Sequence, residues 1–164
     1  MRSAAFALAL ALAGSACGDD GYDPNSCKPG GTANGDGMVK SEPLGPFVRA
    51  QQLGTNQPTG AGYAIRLDEQ PGACGEVPPT GKALVFLFCS PPAALGYKIA
   101  SEQTFRCPSA EVLALIEKDG GADFATATSG ALTIAHAGGC LDGDYTATFG
   151  VDEVTGVFDA VVCP

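Results

Sequence analysis

Seven cysteines in 164 residues set the tightest limit on how this chain can fold. With the first, Cys17, set aside, Cys27, Cys74, Cys89, Cys107, Cys140 and Cys163 form an even set that can pair completely. Such pairing needs an oxidising compartment, and the N-terminus supplies a route to one. Arg2 is followed by an apolar run from Ala4 to Ala13 and by the small residues Gly14-Ser15-Ala16. A positive start, a short apolar stretch and a small-residue cleavage site mark an export signal, too short to span a bilayer. The expectation is a signal peptide over residues 1–16 and a protein that matures outside the cytoplasm.

Gly14-Ser15-Ala16-Cys17 resembles the lipobox of bacterial lipoproteins, in which a peptidase cuts before an acylated cysteine. Gly14 stands where that pattern usually has Leu, and Gly14-x-Ala16 also suits the general signal peptidase, which would give a secreted protein. Parity favours acylation, because an odd cysteine in an exported chain needs an explanation. The lipoprotein resemblance implies several acyl chains on Cys17. Each buried methylene is worth about 0.8 kcal/mol, so more than one chain makes a stable membrane anchor. Gly18 follows the cysteine in place of the Asp that retains lipoproteins at the inner membrane of enteric bacteria, so the expected address is the outer membrane.

The remaining length suits a single domain with a proper core. Glycine (23 residues), proline (12) and only 16% charged side chains argue for strands and turns over a helical bundle. A formal net charge of −9 makes nucleic acid an improbable partner, since an acidic surface gains nothing from counterion release. Residues 17–37, rich in Gly and Asp, read as the lipidated cysteine and a flexible acidic tether, and residues 38–164 as the folded domain.

Period-two patterning begins after the tether. Phe47-Val48-Arg49-Ala50 reads as a short strand. Tyr63, Ile65 and Leu67 alternate with Ala64, Arg66 and Asp68, as in a half-buried strand. Residues 82–88 (Lys-Ala-Leu-Val-Phe-Leu-Phe) are apolar on both faces and read as a central strand. Residues 96–101 and 103–107 suggest shorter ones. Pro108 and Ser109 followed by Val112, Leu113, Leu115 and Ile116 predict one short helix over residues 109–118, ended by Gly120-Gly121. Residues 131–136 and then the segments around Tyr145 and Phe158 predict a C-terminal meander. Its last hairpin, with Gly150 to Glu153 as a four-residue loop, sets Phe149 opposite Val154, Tyr145 opposite Phe158 and Cys140 opposite Cys163. Leu141, Tyr145, Phe149, Val154, Phe158 and Val162 then share one face. The expected fold is all-β: an antiparallel sandwich or partly open barrel with a C-terminal meander and one short helix.

The closing residues Val154-Thr155-Gly156-Val157-Phe158-Asp159-Ala160-Val161-Val162-Cys163 resemble the ending of uncharacterised lipoproteins common in myxobacteria. Their last two strands carry Gly-x-Phe-Asp-x-x-Phe and Gly-x-Phe-Asp-Ala-x-x-Cys, and Gly143-Asp144-Tyr145-Thr146-Ala147-Thr148-Phe149 fits the first with Tyr145 for Phe and Thr146 for Asp. The resemblance implies an all-β domain on the cell surface and no particular activity. It also implies a Cys74–Cys163 bridge, which leaves Cys89–Cys107 as a local pair and Cys27–Cys140 as the remainder. The hairpin register offers Cys140–Cys163 as a rival, and six cysteines allow fifteen connectivities.

Signals for catalysis are sparse. His136, the single histidine, shares strand parity with Leu132 and Ile134 and is expected at the end of a core-facing row. No Gly-x-Ser-x-Gly elbow accompanies it. Zinc is disfavoured by the lack of a Cys-x-x-Cys pair. Asn34-Gly35-Asp36-Gly37, Asp19 to Asp23 and Asp142-Gly143-Asp144 are incomplete calcium loops, better read as acidic turns. No metal or cofactor is expected. These residues favour a non-catalytic surface binding or structural module, with a protein or glycan ligand left open. A small secreted hydrolase using carboxylates or His136, and a calcium-dependent adhesion module, are the alternatives.

Overall fold

The computed structural model describes residues 31–55, 60–107 and 110–164, and every regular element among them is a strand. In chain order these are β1 (Thr32–Val39), β2 (Glu42–Leu44), β3 (Arg49–Gly54), β4 (Tyr63–Asp68), β5 (Lys82–Phe88) and β6 (Gly96–Ala100). β7 (Glu111–Lys118), β8 (Ala122–Thr126), β9 (Ser129–Ala137), β10 (Cys140–Phe149) and β11 (Asp152–Val162) follow. Eight of them close a barrel in the order β10-β9-β6-β7-β5-β4-β3-β11, with β11 returning to β10. β1 lies on the other edge of β11, β2 folds back on β1, and β8 extends from β7. The all-β expectation holds, but the architecture is a closed barrel, neither a sandwich nor partly open. Pairing is antiparallel except between β6 and β7 and between β11 and β3.

The expected helix over 109–118 is corrected to strand β7. Val112, Ala114 and Ile116 enter the barrel interior while Leu113 and Leu115 join a second apolar cluster outside it. A strand buried on both faces places apolar residues at i, i+1, i+3 and i+4, which is also the spacing of a helical stripe. Tertiary burial, absent from a local pattern, decides between them. Residues 108–109, the expected helix start, lie outside the described residues.

Strands β4 and β5 form over the residues expected of them. The strand around Phe47 begins later, at Arg49, and residues 103–107 form none. The tether expectation is corrected at its end: Thr32 to Gly37 belong to β1, paired with β11 from Thr32↔Asp159 to Gly37↔Val154.

An eight-stranded barrel has an interior just wide enough to be filled by side chains. Ile65, Leu67, Leu84, Phe86, Phe88, Ile99, Leu132, Ile134 and Leu141 fill it, with Phe86 tilted against Tyr145 at 5.3 Å and Phe88 edge-on to Tyr97 at 5.1 Å. Outside the wall, Ala61, Ala64, Ala83, Val85, Leu87, Leu113 and Leu115 cluster under Phe105. The Cys89–Cys107 bridge closes the loop that carries Phe105.

In the C-terminal hairpin the inward face is the one expected, but the register differs by two residues. Phe149 pairs with Asp152, Tyr145 with Gly156 and Gly143 with Phe158. A shift of two preserves which side chains face inward. The turn is the two-residue Gly150-Val151, and Gly150 has φ +72°, suiting the first position of a tight hairpin turn. Each aromatic therefore lies against a glycine: Tyr145 Oη sits where a Cβ of Gly156 would stand, 2.6 Å away, and the Phe158 ring does the same at Gly143. Cys140 consequently faces Val161, not Cys163.

The barrel closes at its thinnest pairing, the two residue pairs Val161↔Gln51 and Val162↔Gln52. Cys163 N–H extends the pairing to the Gln52 carbonyl at 3.0 Å, and Cys163 is bridged to Cys74. The bridge holds this seam. Two lysines shield the exposed strand edges, where unpaired carbonyls invite association with other chains. Lys82 Nζ donates to the Pro43 carbonyl of β2 at 2.6 Å, and Lys40 Nζ to the Phe124 carbonyl of β8 at 2.5 Å.

Candidate functional site

On the outer wall, beside the closing seam, four charged side chains form an alternating row: Arg49, Asp68, Arg66 and Glu117. β3 and β4 position the first three on one face, because Arg49 pairs across the ladder with Asp68, and Arg66 stands two residues from it. β5 supplies Ala83 between Asp68 and Glu117, small enough for the Arg66 side chain to cross it. Asp68 Oδ2 accepts from Arg49 Nη2 at 2.6 Å and Nε at 3.0 Å, while Oδ1 accepts from Arg66 Nε at 2.7 Å. Arg66 Nη1 donates to Glu117 Oε2. Arg49, Arg66 and Asp68 are all buried, at 2%, 6% and 1% exposure.

The loop around Cys74 lies over one end of this row. Arg49 donates to the carbonyls of Ala73 and Glu76 at 3.0 and 2.8 Å, and Gln51 accepts from Gly75 N–H while donating to Glu76 O. Two buried side chains and the disulfide together dock a loop that has no ladder of its own. Over the other end opens a groove of about 320 Å³, lined by Leu53, Ala64, Val77, Val85 and Leu87 with Arg66 and Glu117 at its polar side.

A buried chain of charges is a poor source of stability, because the desolvation of each ion costs several kcal/mol and apolar replacement is often no worse. Its value here is positional. It fixes the Cys74 loop, and it holds a guanidinium and a carboxylate side by side at the groove. The sequence pattern assigned Arg66 and Asp68 to a solvated strand face. The clue that both sides are covered lies in neighbouring β5, apolar on both faces, whose strand partners must be covered as well.

Cys74 and Cys163 are bridged, as are Cys89 and Cys107, with Cα–Cα distances of 5.5 Å in both. Cys140 is also disulfide-bonded; Cys17 and Cys27 lie outside the described residues. His136 is corrected: it is exposed on the outer face, with Nδ1 2.9 Å from Asp142 Oδ1. The ladder slips between Asp142/Gly143 so that Asp142 meets His136 and Gly143 meets Ile134, and the extra residue Ala135 turns the histidine away from the core row.

Two of the acidic stretches read as incomplete calcium loops are strand: Asn34 to Gly37 in β1, and Asp142 to Asp144 in β10. Extended backbone sets alternate residues about 6.6–6.8 Å apart and cannot wrap a cation. Asp19 to Asp23 lie outside the described residues. Among those described, no group of three or more His, Cys, Asp or Glu is placed to hold a metal ion, and no helix is long and apolar enough to cross a membrane.

What the fold and site define is a class: a closed β-barrel with a filled interior, a disulfide at its seam and a small groove on its outer wall. Compared with known protein families, curated proteins and solved structures, the chain matches none of them.

Proposed function

We propose that this chain is an exported, lipid-anchored, non-catalytic module that binds a ligand on the outer wall of its barrel. In this reading residues 1–16 are removed and Cys17 is acylated. A short tether ending before β1 then holds the barrel off the outer membrane of a bacterium. The lipobox-like residues and the resemblance of the closing strands to myxobacterial lipoproteins support the address.

The observation that carries the reading is the Cys74–Cys163 bridge, which clasps a seam of only two ladder pairs. A fold so dependent on a cystine suits an oxidising compartment. The filled interior leaves the outer wall as the place for recognition. Intact-mass analysis of protein extracted with detergent from its native host tests the proposal. The expected species lacks residues 1–16, carries acyl mass on Cys17 and contains only oxidised cysteines elsewhere. An unmodified Cys17, or reduced thiols at Cys74 and Cys163, would refute it.

A further inference from the structure

We propose that the outer-wall groove binds a short extended peptide segment, reading one backbone amide and one aliphatic side chain. This deepens the binding-module reading and rests on it. Arg66 uses two of its five N–H donors, on Asp68 and Glu117, and the remaining three have no acceptor among the described residues. Glu117 Oε1 likewise accepts no hydrogen bond there. Neither atom is sealed away, because Tyr145 Oη is the one sealed and unpartnered side-chain polar atom among the described residues. Both residues line the groove and between them carry unused donors and an unused acceptor, which is the complement of a secondary amide: its C=O would accept from Arg66 and its N–H donate to Glu117.

Charge selects against the alternatives. Arg49, Arg66, Asp68 and Glu117 sum to zero, so a free carboxylate or phosphate gains Arg66 only by facing Glu117, and a cation meets the reverse penalty. Leu53, Val77, Val85 and Leu87 form the aliphatic part of the wall, beside Thr55 and the backbone of Gly54, Gly120 and Gly121. No aromatic side chain stands among the described lining residues to serve as a platform for a sugar ring. The volume, about 320 Å³, stands at the small end of ligand pockets and suits one side chain with its amide.

The test is an NMR titration of the oxidised protein, following the backbone amides of Gly54, Gly120 and Gly121 at the groove. The probes are N-acetyl-leucine methylamide, the anion N-acetyl-leucine, the cation leucine methylamide, and N-acetylglucosamine. The neutral amide should give saturable shifts at the millimolar affinity open to so small a ligand. The charged analogues and the sugar should bind at least about tenfold more weakly. Val77→Asp, at a side chain 44% exposed and therefore tolerant of change, should weaken the neutral probe at least about fivefold without unfolding the protein. Absence of saturable shifts, equal or tighter binding of the anion or the sugar, or indifference to Val77→Asp would each overturn the proposal. A protein acylated at Cys17 that fails this titration loses the peptide assignment and keeps the anchored-module reading; an unacylated protein that passes does the reverse.

Discussion

Replacing Asp68 by Ala removes the carboxylate that holds two guanidinium groups out of water. The site is neutral as it stands; without Asp68 it carries an excess positive charge among side chains that are nearly all buried. Three hydrogen bonds of 3.0 Å or less, two from Arg49 and one from Arg66, are lost with it. Removing one partner from a buried ion pair costs about 3–5 kcal/mol, since the other charge remains desolvated. Asp68→Asn keeps an acceptor of the same shape and should cost less, about 1.5–3 kcal/mol, the worth of hydrogen bonds to charged groups. Adding Arg66→Met to Asp68→Ala restores neutrality between Arg49 and Glu117, so the double variant should recover part of the loss. Urea unfolding of the oxidised protein measures all three. With a slope of about 2 kcal/mol per molar, Asp68→Ala should lower the midpoint by roughly 2 M. A cost below about 1 kcal/mol, or a double variant that is simply additive, would refute the view that Asp68 is the electrostatic hub of this wall.

Three further outcomes are expected. Burial, and behind it the charge of Asp36, pushes the Tyr145 hydroxyl well above the usual phenol range, and Oη has no hydrogen-bond partner among the described residues. Tyr145→Phe should therefore be neutral or stabilising by up to about 2 kcal/mol, and a loss above about 1 kcal/mol in urea unfolding would contradict the unpartnered hydroxyl. Hydrogen bonds from Lys82 and then Lys118 hold the Glu42 carboxyl below its ordinary value of 4.5. Its contribution to stability is present above that value and lost as pH falls through the lower folded value. The gap in melting temperature between wild type and Glu42→Gln should be open at neutral pH and close in acid, and a gap that widens on acidification contradicts the pairing. Removing the seam bridge by Cys74→Ser with Cys163→Ser opens a loop of 89 residues, for which the chain-entropy estimate is about 4–5 kcal/mol. The same double change should speed hydrogen exchange first at Gln52 and at position 163, and exchange that accelerates uniformly would argue against a local seam.

Much of the fold was legible because a strand with one buried face advertises itself at period two. β4 and the inward row of the last hairpin follow from alternation, and β5 from its short unbroken apolar run. The faces of that hairpin were correct while its register was two residues out, since alternation cannot distinguish shifts by two. What resolves the ambiguity is steric: Tyr145 fits over Gly156 and Phe158 over Gly143, whereas the alternative puts the two aromatics together and leaves the glycines bare. β7 was misread for a related reason, because burial on both sides erases alternation.

The candidate site was scarcely legible. Arg49, Arg66 and Asp68 look like ordinary solvated residues in sequence, and Glu117 lies far from them along the chain. The apolar patterning and the aromatic–glycine repeat were enough by themselves to specify strands and an inward face, because those features act between near neighbours. The Cys74–Cys163 and Cys89–Cys107 bridges are the ones expected from the sequence, the first through the lipoprotein resemblance. Closure of the sheet and the meeting of Arg66 with Glu117 were decided only in three dimensions. Each depends on which strands become adjacent, and that adjacency is chosen by the packing of the whole interior.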